Sequence, residues 1–73
     1  MAYKSPDDAR EAIGTSLLKI GISIGKGTNV KNEINAYKIV TSDAVKLTEV
    51  DSYNNSVRKL LAGAGMKRLA EDF

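Results

Sequence analysis

Hydrophobic residues recur every three or four positions along most of this chain, which is the spacing of one face of an α-helix. The first such run starts behind Ser5 and Pro6, residue types favoured at a helix N-cap and first turn. Gly25 and Gly27 follow the run and are typical of a helix end. The pattern predicts a first helix over about 6–24. Its apolar positions are Ala9, Ile13, Leu17, Ile20 and Ile24.

A second set of positions on this helix is made mostly of glycine. Gly14, Leu18, Gly21 and Gly25 share one face by the same spacing. One interpretation is local weakness with fraying after Leu18, because glycine destabilises a helix interior. A second is a flat strip against which another helix packs closely. A third is an extended segment at 19–24, where isoleucines alternate with other residues.

A second hydrophobic run extends from residue 30 to residue 64 with steps of three or four residues throughout. The residues between its apolar positions are nearly all polar from 46 to 59, so the run predicts amphipathic helix. Its apolar members are Val30, Ile34, Tyr37, Val40, Ala44, Leu47, Val50, Tyr53, Val57, Leu60 or Leu61, and Ala64.

This long run is predicted to break near Ser42. The segment 41–43 is Thr-Ser-Asp, whose side chains compete with the backbone for hydrogen bonds and favour helix ends. We therefore expect helices over 29–41 and 43–62, with one further turn or a tail after the glycines that end the last helix.

The predicted fold is all-α, with two or three antiparallel helices forming a helical hairpin or small bundle. Residues 1–73 make one small domain, with 1–4 and 66–73 as its candidate flexible ends. The alternative is an α+β helix–hairpin–helix fold, because 37–41 and 45–49 are rich in β-branched residues and alternate loosely. That alternative is similar in plan, though in no residue motif, to the small head–tail joining proteins of tailed phages.

The composition argues against an enzyme. The chain has 73 residues with no cysteine and no histidine, which excludes disulfides, thiolate metal sites and the usual nucleophile–histidine pairs within one chain. Carboxylates at Asp7, Asp8 and Glu11 are expected to complement the helix N-terminus rather than bind a metal. We predict no catalytic residue, no metal and no cofactor.

The charge distribution permits a weak anion-binding face. The net charge is only +2, too small to require a nucleic-acid partner. The segment 21–28 is rich in glycine but lacks the spacing of a phosphate loop. Free N–H groups near Asn29 could still meet an anion. The candidate nucleic-acid or anion-binding residues are Lys26, Lys31, Arg58, Lys59, Lys67 and Arg68.

The hydrophobic run from Val30 to Ala64 has more apolar surface than the single helix predicted over 6–24 can cover. We therefore predict that part of it faces a second copy of the chain or another protein, making a homo-oligomer or a subunit of an assembly. The predicted protein-interface residues are Leu47, Val50, Tyr53, Val57, Leu60 and Leu61.

The leading hypothesis for function is a non-enzymatic interaction module that acts by stoichiometric protein binding or self-assembly, as an accessory, inhibitor or structural subunit. Its composition fits the small proteins of phages and mobile elements. The alternatives are a small basic nucleic-acid-binding helical protein and an oligomeric binder of a small anion or nucleotide. No leader or membrane span is evident, so the expected location is the cytoplasm or a particle assembled there.

Overall fold

A computed structural model describes residues 3–71 and residue 73 of the chain. Residues 1, 2 and 72 of the two candidate flexible ends therefore lie outside it. The described residues form helices and no strand, as the predicted all-α fold requires. The helices are α1 (Pro6–Lys26), α2 (Val30–Ala44), α3 (Asp51–Gly63) and α4 (Lys67–Glu71).

The ends of α1 are set by local hydrogen bonds. The Ser5 hydroxyl accepts a hydrogen bond from the Asp8 N–H at 3.2 Å, so the predicted N-cap is confirmed. At the other end Gly27 adopts φ 69°, and the Thr28 N–H donates to the Ser23 carbonyl at 3.0 Å. The helix is continuous to its cap, so neither the early fraying nor the extended segment that we considered is formed.

The core lies where α1 packs against α2, with α3 covering one side. The three-residue connection at 27–29 makes α1 and α2 antiparallel neighbours. Small buried residues on both helices allow their backbones to approach closely. The buried residues of the core region are Ala9, Ile13, Ser16, Ile20 and Ser23 on α1, Ile34, Tyr37, Thr41 and Ala44 on α2, and Val57 and Leu61 on α3.

The long run does divide into two helices, but the break lies after the predicted position near Ser42, because α2 continues to Ala44 and the next helix begins only at Asp51. Thr41 does not compete with the helix. Its hydroxyl donates to the carbonyls of Tyr37 and Lys38, both at 3.1 Å, and the side chain stays buried inside a continuous helix. The break falls instead in the turn at 45–50.

The alternative hairpin is wrong, since α2 covers its first strand and the turn at 45–50 occupies its second. Strand alternation would place Tyr37, Ile39 and Thr41 on one face. In the structure Tyr37 and Thr41 are buried, whereas Ile39 is 65% exposed. The three- and four-residue spacing of the buried α2 positions therefore determines the local structure, despite their β-branched neighbours.

The chain folds back on itself after α3. Gly65 adopts φ 79°, a left-handed conformation that glycine takes without strain, and the Met66 N–H bonds the Leu61 carbonyl at 2.8 Å. The short helix α4 then returns toward the bundle, where Phe73 packs against the core. This return closes one side of the molecule with an aromatic side chain.

Candidate protein-interaction surface

The side of α1 that faces away from the core is also apolar. We call this surface, which is made of Gly14, Leu18, Gly21, Ile22 and Gly25, the outer α1 face. Leu18 is 65% exposed and Ile22 is 48% exposed. A helix turns by about 100° per residue. Leu18 and Ile22 each lie two positions from the buried Ile20, so their side chains lie about 200° around the helix axis from it. One helix thus presents apolar side chains on two opposite sides.

Among the described residues, no close contact requires glycine at the three glycine positions of the outer α1 face. A Cβ atom built at Gly14, Gly21 or Gly25 would meet nothing within 4 Å, and none of the three has a positive φ. Each glycine in a helix interior costs about 1 kcal/mol relative to alanine. The single chain thus carries a weakened helix without any close contact that would require glycine there.

The flat glycine positions and the exposed side chains form an open groove. It is lined by Leu17 and Leu18 with Gly14, Gly21 and Ile22. No charged side chain contributes to its lining. Such a groove suits a helical or extended apolar partner rather than a polar small molecule.

Charges flank the groove instead of interrupting it. Lys19 is the one charged residue of the sequence between Glu11 and Lys26. Glu11 lies seven residues before Leu18 and so shares its side of the helix. Lys26 lies one turn beyond Ile22. The outer α1 face therefore has an acidic end and a basic end.

The predicted interface residues of the long hydrophobic run lie in three different environments. Val57 and Leu61 are buried completely within the single chain. Leu47, Val50 and Tyr53 are partly buried against the same core. Leu60 alone is exposed, at 38%. The chain itself thus covers most of these side chains, and Leu60 is the one that a partner could contact without rearrangement of the core.

The candidate basic residues are dispersed over the fold, and five of the six are exposed. Arg58 is the exception. Its guanidinium group donates to the Asn55 side chain and to the main-chain oxygen of Phe73. Lys26 and Lys31 flank the turn between α1 and α2. Asn29 takes the N-cap position there with φ 46°, but its side chain makes no capping hydrogen bond.

A polar and aromatic cluster joins α2, α3 and the end of the described chain. The Tyr37 hydroxyl donates to the Asn54 side chain at 2.9 Å. The Tyr37 ring meets the Phe73 ring edge to face, with centroids 5.8 Å apart. The Lys38 ammonium lies 5.3 Å from the centroid of the Phe73 ring. This cluster holds the returning segment in place and was not predicted from the sequence.

Burial raises the pKa of the Tyr37 hydroxyl to about 12, and nearby Tyr53 adds to the shift while Arg58 opposes it. The folded chain therefore holds this proton more tightly than the unfolded chain, whose tyrosines titrate near 10. Between about pH 10 and 12 the unfolded state has lost the proton that the folded state keeps, so stability falls as the pH rises.

We expect Tyr37→Phe to remove part of this alkaline loss of stability. Urea unfolding measured from pH 8 to 11.5 should show a shallower decline for Tyr37→Phe than for the original chain. Tyr3→Phe, at a partly buried position near the start of the described chain, is the matched control and should leave the decline unchanged. Identical declines in all three proteins would show that Tyr37 is not a protected hydroxyl.

The described residues, 3–71 and 73, contain no helix long and apolar enough to cross a membrane. Within the same part of the chain, no three His, Cys, Asp or Glu side chains lie close enough together to hold a metal ion. Asp7 instead pairs with Arg10 at 2.7 Å across one turn of α1.

Comparison with known proteins gives no guide to function, since no family model, curated protein or solved structure matches this chain. Sequence spacing gave Gly14, Leu18, Gly21 and Gly25 as a packing strip in one of three interpretations, without Ile22. The predicted interface lay on the long hydrophobic run instead, because only the fold shows which apolar face remains uncovered.

Proposed function

We propose that this chain is a small non-catalytic interaction module that binds protein stoichiometrically through the outer α1 face. The observation that carries the proposal is the apolar strip opposite the core, with Leu18 65% exposed and three glycines at which an added Cβ would meet nothing within 4 Å. Burying Leu18 and Ile22 against a partner would release apolar surface from water, at about 25 cal/mol for each Å². Close approach at the glycines would add backbone and side-chain contacts.

Chemistry without histidine and cysteine would depend on carboxylates, lysines or tyrosines. The raised pKa of Tyr37 makes its hydroxyl a weaker acid and keeps it neutral near pH 7, so it supplies no tyrosinate to act as a base. The Tyr37 hydroxyl also donates a hydrogen bond to the Asn54 side chain. Binding, rather than catalysis, is the activity that the described surface supports.

Nucleic-acid binding is the second candidate. Lys26 and Lys31 flank the turn between α1 and α2, and both are exposed. Lys67 and Arg68 begin α4 and are also exposed. Against this candidate, Arg58 is engaged within the chain, and the net charge of +2 gives little long-range attraction.

A photo-crosslinking experiment tests the proposed function. A photoreactive amino acid replaces Leu18 in the chain made by its natural producing cell, and the matched control places it at Ile39. Both side chains are 65% exposed, but Ile39 lies on α2. We expect a discrete, stoichiometric protein adduct at position 18 and little adduct at position 39. Equal adducts at both positions, adducts to nucleic acid, or no adduct at position 18 would overturn the proposal.

A further inference from the structure

The inner side of α1 shows how this helix recognises another helix. Its buried residues are spaced by four, three, four and three, which is a heptad repeat. Small residues alternate with isoleucine along it, so that the antiparallel α2 can approach closely. These buried positions are Ala9, Ile13, Ser16, Ile20 and Ser23.

The outer α1 face repeats this spacing. Gly14, Leu18, Gly21 and Gly25 follow one another at steps of four, three and four residues. They reproduce the inner pattern five positions later, with glycine in place of alanine, serine and the second isoleucine. On the inner side this spacing meets a helix, whereas on the outer side a Cβ added at any of the three glycines would meet none of the described residues within 4 Å.

We infer that the outer α1 face binds the same face of a second copy, with the two α1 helices antiparallel. This inference rests on the proposed function and names the partner. A two-fold axis near Leu18 would pair positions whose numbers add to about 36. Glu11 of one copy would then lie beside Gly25 and Lys26 of the other, and the same pairing would recur at the opposite end.

The charges select this partner and this orientation. The face has its acidic residue at one end and its basic residue at the other, so it is complementary to itself when reversed. A parallel pair would place Glu11 against Glu11 and align the two helix dipoles unfavourably. The antiparallel pair removes both conflicts and lets the small residues at Gly14 and Gly21 face each other across the axis.

Sedimentation equilibrium of the purified full chain at low ionic strength tests the pairing. We expect a reversible monomer–dimer equilibrium, with Leu18→Glu raising the dissociation constant at least tenfold. Ile39→Glu is the matched control, because Ile39 has the same 65% exposure on α2, and it should leave the constant within twofold. Far-UV circular dichroism checks that both variants keep their helices.

Orientation is tested by charge exchange. Glu11→Lys and Lys26→Glu should each weaken the dimer severalfold, since each creates a like-charge pair at both ends. The double variant Glu11→Lys with Lys26→Glu should restore the original constant, because the antiparallel pair regains its opposite charges. A double variant no tighter than the single ones would overturn the antiparallel arrangement.

A chain that stays monomeric at all concentrations, or a dimer that Leu18→Glu leaves intact, would overturn the inference. Binding to anionic lipid vesicles without dimer formation would do the same. If the chain is monomeric while position 18 still crosslinks to a different protein, the inference fails and the proposed function stands. If position 18 gives no protein adduct and no dimer forms, both fail.

Discussion

Val57→Asp is expected to unfold the chain at room temperature. Val57 is fully buried in the core region that α1, α2 and α3 share. A carboxylate there loses its hydration, and keeping it neutral costs several kcal/mol instead. A domain of this size is stable by only a few to about 10 kcal/mol, so the substitution removes most or all of that margin.

Far-UV circular dichroism with urea titration measures this effect. Ser56→Asp is the matched control, because Ser56 is exposed on the neighbouring position of α3 and receives the same charge. The control should keep its helicity and shift the urea midpoint only slightly. Retained helicity and an unchanged midpoint in Val57→Asp would show that Val57 is not in the core.

Tyr37→Ala is expected to cost about 3–5 kcal/mol, the range for deleting a large aromatic side chain from a core. Tyr37 is the largest of the fully buried side chains. Its ring contacts Phe73 edge to face, and its hydroxyl bonds Asn54. The substitution would leave a cavity, free the returning segment and leave the Asn54 side chain without this partner.

Tyr37→Phe separates these contributions. It keeps the ring and removes only the hydroxyl, so its cost should be about 1 kcal/mol, the usual value for one hydrogen bond. Urea unfolding of both variants provides the comparison. Equal losses of unfolding free energy would mean that the ring contributes little, which contradicts a core built around Tyr37.

The first helix was the part of the fold most open to prediction. Ser5 and Pro6 mark its start, because N-capping by a serine hydroxyl and the fixed φ of proline act within a few residues and do not depend on the rest of the chain. The break between α2 and α3 was harder. Thr41 can either end a helix or donate back to the carbonyls of the preceding turn, and in this fold it is buried and bonds the Tyr37 and Lys38 carbonyls.

The candidate site shows a similar division. Spacing alone places Gly14, Leu18 and Gly21 on one face of a helix. It does not show that this face is free, because an apolar stripe looks the same in sequence whether its own chain or a partner covers it. Val57 and Leu61 were assigned to a protein interface for this reason. The contact between Arg58 and Phe73 depends on the return after Gly65, which no spacing reveals.

Nitrogen–proton correlation spectra recorded during serial dilution test the central claim most directly, because they show which amides sense a partner. We predict that concentration-dependent shifts concentrate at Gly14, Leu18, Gly21, Ile22 and Gly25, while Ile39 and Leu60 stay unchanged. Shifts centred on Leu60, or spectra identical at every concentration, would contradict a second copy bound to the outer α1 face.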